Sequence, residues 1–104
     1  MHKIVRVQYT AKQEYAEHNK ENIRQVMSDL KAINNPGLKY GTYLAPDGKT
    51  FMHFSLFQTE AAHKVLMELP SFIKFQTELK ASGPETPLKS EDMELVGAGY
   101  EIFG

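Results

Sequence analysis

Residues 38–57 read LKYGTYLAPDGKTFMHFSLF, and this stretch decides the fold. Two runs rich in aromatic and β-branched residues, 38–45 and 50–57, flank Pro46-Asp47-Gly48-Lys49. Asp-Gly between two such runs supplies the positive φ that a tight hairpin turn requires, so the stretch predicts two antiparallel strands.

Working back toward the N-terminus, residues 3–10 alternate, with Val5, Val7 and Tyr9 on one side and Ile4, Arg6 and Gln8 on the other. That period of two predicts a strand. From Ala11 to Ile33 the period lengthens. Tyr15, Asn22, Ile23, Val26, Leu30 and Ile33 fall on one helical face, and Asn34-Asn35-Pro36-Gly37 ends the helix with a capping residue and a proline that cannot continue it.

Working forward, Thr59 predicts a helix N-cap, followed by an apolar stripe of Ala62, Val65, Leu66 and Leu69. Pro70 interrupts. Ser71 offers a second cap, and Phe72, Phe75, Gln76 and Leu79 continue a second stripe. Residues 82–90 carry a glycine and two prolines and read as an irregular loop, and Glu94 to Phe103 alternates as a closing strand. The order is β-α-β-β-α-β with the second helix broken. Right-handed crossovers turn that order into an α+β domain of ferredoxin-like plan, a four-stranded antiparallel sheet with its helices on one face.

The totals agree. The 104 residues suit one domain spanning residues 1–104. Twelve basic and thirteen acidic residues give a net charge of -1, spread along the chain with no basic run to neutralise phosphates, so nucleic acid is not an expected partner. There is no cysteine, which removes disulfides, thiolate metal sites and thiol nucleophiles. No apolar run approaches the roughly 20 residues of a membrane helix, and residues 1–10 show no signal core. The expectation is a soluble, cytoplasmic protein that does not engage a membrane.

Helices cover only one face of such a sheet. Met52, Phe54 and Leu56 are assigned with Val5, Val7 and Tyr9 to the helix side. The opposite face then takes Ile4, Arg6 and Gln8, with Phe51, His53, Ser55 and Phe57, and with Leu95, Gly97, Gly99, Glu101 and Phe103 of the closing strand. It is too apolar for open water, and a second copy of the sheet would cover it, giving a homodimeric α/β-barrel. Gly97 and Gly99 fit there as points where the strand bends or a second backbone comes close. Buried Arg6 needs a partner, and Glu101 is the expected one.

Thr59-Glu60-Ala61-Ala62-His63, followed by Leu69-Pro70-Ser71-Phe72 and Phe75, resembles the second-helix signature of the dimeric α/β-barrel proteins, in particular the antibiotic-biosynthesis monooxygenase-like group. The resemblance implies a homodimer with a cleft between sheet and helices. It also implies a small aromatic substrate that itself supplies electrons to dioxygen, with no metal or organic cofactor. The haem-degrading branch of that group uses an Asn, a Trp and a His at positions that fall here on Val7, Leu66 and Gln76. All three depart, so haem degradation is not expected.

Among candidate site residues, His53 has two readings. It is a buried histidine with a hydrogen-bond partner, or it is a base for a phenol or enol proton with Arg6 stabilising the anion. Asn19 and Asn22 interrupt the apolar face of the first helix. They line a cavity with Tyr9 and Tyr15, or that end of the helix opens to solvent. Leu66, Phe72 and Gln76 complete the expected ligand-binding set. His2 is terminal, while His18 and His63 read as surface or contact residues. Tyr40 and Tyr43 lie on opposite faces of their strand, and core packing accounts for either. No histidine pair has metal-ligand spacing. The chain therefore reads as a cofactor-independent monooxygenase-like protein for a small aromatic or quinol-type molecule, with a non-catalytic ligand-binding or stress-response protein of the same plan as the alternative.

Overall fold

The computed structural model describes residues 2–103. The central hairpin forms as read: β2 (Leu38–Leu44) and β3 (Thr50–Phe57) join through a turn in which Gly48 takes φ 78°. Asp47 holds the turn, its carboxylate accepting bonds from the Lys49 and Thr50 amides at 2.9 and 2.8 Å and from Thr50 Oγ1 at 2.6 Å. Around it come β1 (Lys3–Thr10), a short 3-10 turn at Gln13–Tyr15, α1 (Ala16–Ile33), α2 (Glu60–Met67), α3 (Pro70–Ser82) and β4 (Thr86–Met93). The sheet is antiparallel throughout in the order β2-β3-β1-β4, so the ferredoxin-like plan holds. No helix among the described residues is long and apolar enough to cross a membrane.

The helix ends follow local chemistry. Asn34 closes α1 in the left-handed region at φ 52°. Thr59 caps α2, its Oγ1 accepting the Ala62 amide at 3.1 Å. Pro70 breaks the second helix as expected, but it occupies the first turn of α3, where a missing N–H is harmless. The N-cap of α3 is therefore Leu69, and Ser71 lies inside the helix with its hydroxyl unpartnered.

Two expectations are overturned. The last strand is β4 at Thr86–Met93, not residues 94–103. Pro87 is tolerated because β4 is an edge strand, and its pairing with β1 is irregular between Gln8 and Thr10, where the proline falls. Residues 94–103 find no strand to pair with inside one chain, and a Cβ at Gly97 or Gly99 would meet nothing within 4 Å, so neither glycine marks a close approach here.

The second correction concerns the face of β3. Val7 is directly opposite His53, Tyr9 opposite Phe51 and Val5 opposite Ser55. Directly opposed residues share a face. Phe51, His53, Ser55 and Phe57 therefore lie on the helix side, while Met52, Phe54 and Leu56 share the outer side with Ile4, Arg6 and Gln8. Phe51, His53 and Phe57 are accordingly buried within this chain. Beneath the helices they join Tyr9, Leu66, Phe72 and Leu79 in one core.

Candidate functional site

A cavity of about 250 Å3 lies between the sheet and the broken second helix. Its floor is Val5, Val7 and Tyr9 of β1 with His53 and Phe57 of β3. Tyr40 closes one side. The roof comes from α2, through His63, Leu66 and Met67, and from α3, through Phe72, Phe75 and Gln76. Toward β4 the lining passes from half-buried Leu88 to exposed Ser90 and Asp92, so the opening lies on that side. The strands supply this lining because every second residue of each faces the helices. α2 supplies it because Ala62 and Leu66 are the buried stripe that Thr59 starts in register.

The polar groups of this apolar space are knitted together. His53 Nε2 lies 2.8 Å from Tyr9 Oη. On the ring's other side, Nδ1 lies 2.7 Å from Tyr40 Oη and 3.0 Å from Thr42 Oγ1. Asn19 of α1, wholly buried, donates from Nδ2 to Tyr9 Oη at 2.9 Å. Burial without an opposing charge pushes the His53 pKa down to about 4, so the imidazole is neutral at pH 7. Burial also raises both Tyr9 and Tyr40, against the lowering effect of their hydrogen bonds to Asn19 and Thr42, and both stay protonated. Aromatic contacts hold the ring in place, Tyr9 stacked and Phe75 tilted, each 5.3 Å from His53 between centroids.

Of the residues singled out by sequence, Tyr9, His53, Leu66, Phe72 and Gln76 converge on this cavity. Asn19 stands behind Tyr9. Tyr15 and Asn22 do not reach it: they face the seam between α1 and α3, where Asn22 Nδ2 donates to Glu78 Oε1 at 2.8 Å and His18 Nε2 meets the same oxygen at 2.6 Å. Arg6 is not brought to His53. It points from the outer face, where Nη1 bonds Glu91 Oε1 at 3.0 Å, and Glu91 takes the place expected of Glu101. Arg6 also donates to Gln8 Oε1. Tyr40 and Thr42 are the site residues that sequence reading left to core packing or passed over. No group of three or more His, Asp or Glu side chains among the described residues is placed to hold a metal.

By sequence the chain matches no family profile and no curated protein. By structure it has clear neighbours. A protein from Bacteroides thetaiotaomicron described as a putative antibiotic biosynthesis monooxygenase superposes with a TM-score of 0.81 at 14% identity, over 96% of this chain and 94% of that one. One of the same description from Deinococcus radiodurans gives 0.71 at 18% identity, over 97% and 98%. SnoaB of Streptomyces nogalater, a cofactor-independent oxygenase, gives 0.69 at 11% identity, over 96% and 98%. The fold is thus that of the antibiotic-biosynthesis monooxygenase-like proteins. Val7, Leu66 and Gln76, the positions at which the resemblance places the residues of haem degradation, all line the cavity here.

Proposed function

We propose that the protein is a cofactor-independent, monooxygenase-like enzyme acting on a small aromatic, quinol-type molecule held in this cavity. The observation that carries the reading is a largely apolar cavity, open toward β4, whose inner wall presents one connected imidazole and hydroxyl cluster, Tyr9–His53–Tyr40. The size suits one or two fused rings, since a cavity of about 150 Å3 already accepts benzene. The fold shared with a cofactor-independent oxygenase is consistent with this chemistry.

The reaction needs only the ring and dioxygen. A phenol whose proton is lost or shared becomes electron-rich enough to reduce dioxygen. One oxygen atom enters the ring carbon, and the other leaves as water with the two hydrogens, so phenol plus dioxygen gives quinone plus water. The cluster's part is to hold the substrate oxygen and stabilise its negative charge in a dry site. Oxygen uptake with a panel of hydroquinones and polyphenols tests this. Uptake above that of heat-inactivated protein, lost in His53→Phe, is expected, and uptake equal to that control would overturn turnover.

One observation favours binding without turnover. A histidine whose pKa is pushed down to about 4 is a weak base at neutral pH. Saturable binding of an aromatic compound recovered unchanged would select that reading.

We also propose that a second copy covers the outer face of the sheet. Ile4, Phe54 and Leu56 lie there half-buried, bordered by exposed Tyr43, Met93 and Leu95. The chain after β4, with Tyr100 76% exposed and Ile102 beside Ile4 and Leu56, adds apolar surface to the same side. A patch of this kind on a sheet favours an isologous partner.

A further inference from the structure

The hydrogen bonds behind the cavity have a direction. An amide Nδ2 can only donate, so Tyr9 Oη accepts from Asn19 and has one proton left to give. The acceptor within reach is His53 Nε2 at 2.8 Å. A neutral imidazole that accepts at Nε2 carries its proton at Nδ1, and that N–H faces Tyr40 Oη at 2.7 Å and Thr42 Oγ1 at 3.0 Å. The Tyr40 hydroxyl therefore meets an N–H and need not give its own proton to the ring. Turning the Asn19 amide over would reverse the order, but it would leave both amide N–H groups without a partner in a wholly buried site. The present orientation leaves Oδ1 and one N–H unpaired instead of two N–H groups, and buried orphan carbonyls are commoner than buried orphan N–H groups.

We propose that Asn19 sets this one-way order as a positioning residue, and that the cavity selects an aromatic ligand by an acceptor oxygen, a quinone or aryl ketone carbonyl or a phenolate, held by the Tyr40 O–H. The selection rests on the cavity being the ligand site; the hydrogen-bond order does not. On this arrangement the site binds the ionised substrate and the quinone product better than a neutral phenol. His53 then acts as a donor through Tyr40 and not as a base toward the ring.

Nitrogen NMR of 15N-histidine-labelled protein, with His53 assigned by difference from His53→Phe, reads the tautomer directly in the ligand-free protein. The proton is expected on Nδ1. In Asn19→Asp, whose carboxylate accepts from Tyr9, the proton is expected to move to Nε2, and in Asn19→Leu the ring is expected to lose its single tautomer. As probes, 1,4-naphthoquinone and 1-naphthol share a frame and differ in acceptor against donor character, and the absence of cysteine removes thiol alkylation by the quinone. The quinone is expected to bind about tenfold more tightly, the effect of one well-placed hydrogen bond. A wild-type ring protonated at Nε2 overturns the proposed order whatever binds. Preference for the naphthol overturns the selection. Binding of neither probe, with the proton on Nδ1, overturns the ligand-site reading and the selection with it while the order stands.

Discussion

Tyr9 Oη and His53 Nε2 meet at 2.8 Å although their backbones are not direct partners, since Phe51 faces Tyr9 and Val7 faces His53. The contact runs diagonally across β1 and β3, and it brings a hydroxyl and an imidazole together beneath the helices with Asn19 above them.

Removing the hydroxyl strands two groups at once. Tyr9→Phe leaves Asn19 Nδ2 and His53 Nε2 without a partner in a buried site, a loss of about 1–3 kcal/mol. Urea denaturation should show a lowered midpoint with an unchanged slope. Asn19→Leu combined with Tyr9→Phe should cost less than the sum of the two single changes, because they share one bond.

The folded pKa of His53, about 4, lies below its ordinary value of 6.5. A buried neutral histidine of this kind contributes stability that is fully present above the unfolded pKa and is lost as pH falls toward the folded one. Between pH 7.5 and 4.5 the wild-type protein should lose roughly 2–3 kcal/mol from this group, at 1.36 kcal/mol per unit. His53→Phe should be flatter across the same window. Asp47 and Glu78, held below the usual carboxylate range by hydrogen bonds led by Thr50 and Asn22 respectively, add their losses only at more acid pH. Denaturation midpoints at the two pH values check the difference.

Leu66 and Leu79 are equally buried, but only Leu66 lines the cavity. Leu66→Ala and Leu79→Ala should each cost about 2–5 kcal/mol. Only the first should alter the affinity for an aromatic probe, measured by isothermal titration below the unfolding temperature of both variants.

Thr59→Ala removes the bond to the Ala62 amide and should cost about 1 kcal/mol. Hydrogen exchange should rise along residues 60–67 and stay unchanged in β1 and β3.

Leu56→Glu places a charge at the centre of the outer face without touching the cavity. Light scattering should find a dimer for the wild-type protein and a monomer for the variant. A wild-type monomer would leave the apolar outer face without its proposed cover.

Much of the fold was legible because its signals are local. Asp47-Gly48 marks the hairpin, Asn34 and Pro36 end α1, and Pro70 breaks the second helix; each acts through its own backbone. The face of β3 was not legible by alternation alone. Residues 50–57 are apolar at both parities, so a period of two gives no phase, and register with β1 decides it. The proline in β4 and the alternation at residues 94–103 misled for a related reason, since strand status depends on a neighbour's free edge. Tyr9, Leu66, Phe72 and Gln76, expected together around a pocket, do line one cavity. The Thr42–His53 pairing was within reach: a turn centred between Asp47 and Gly48 sets Thr42 opposite His53 by counting outward, and Tyr40 follows on the same face.

The sheet divides the molecule's work between its two sides. The linked groups of the cavity wall, Tyr9, Tyr40 and His53, stand at one parity of the strands, and the strand residues proposed to meet a second copy stand at the other. Association and ligand chemistry are therefore free to vary independently under point substitution. A frameshift in structure is another matter: one residue inserted at the start of β3 would carry His53 through the sheet and trade the two surfaces in a single step.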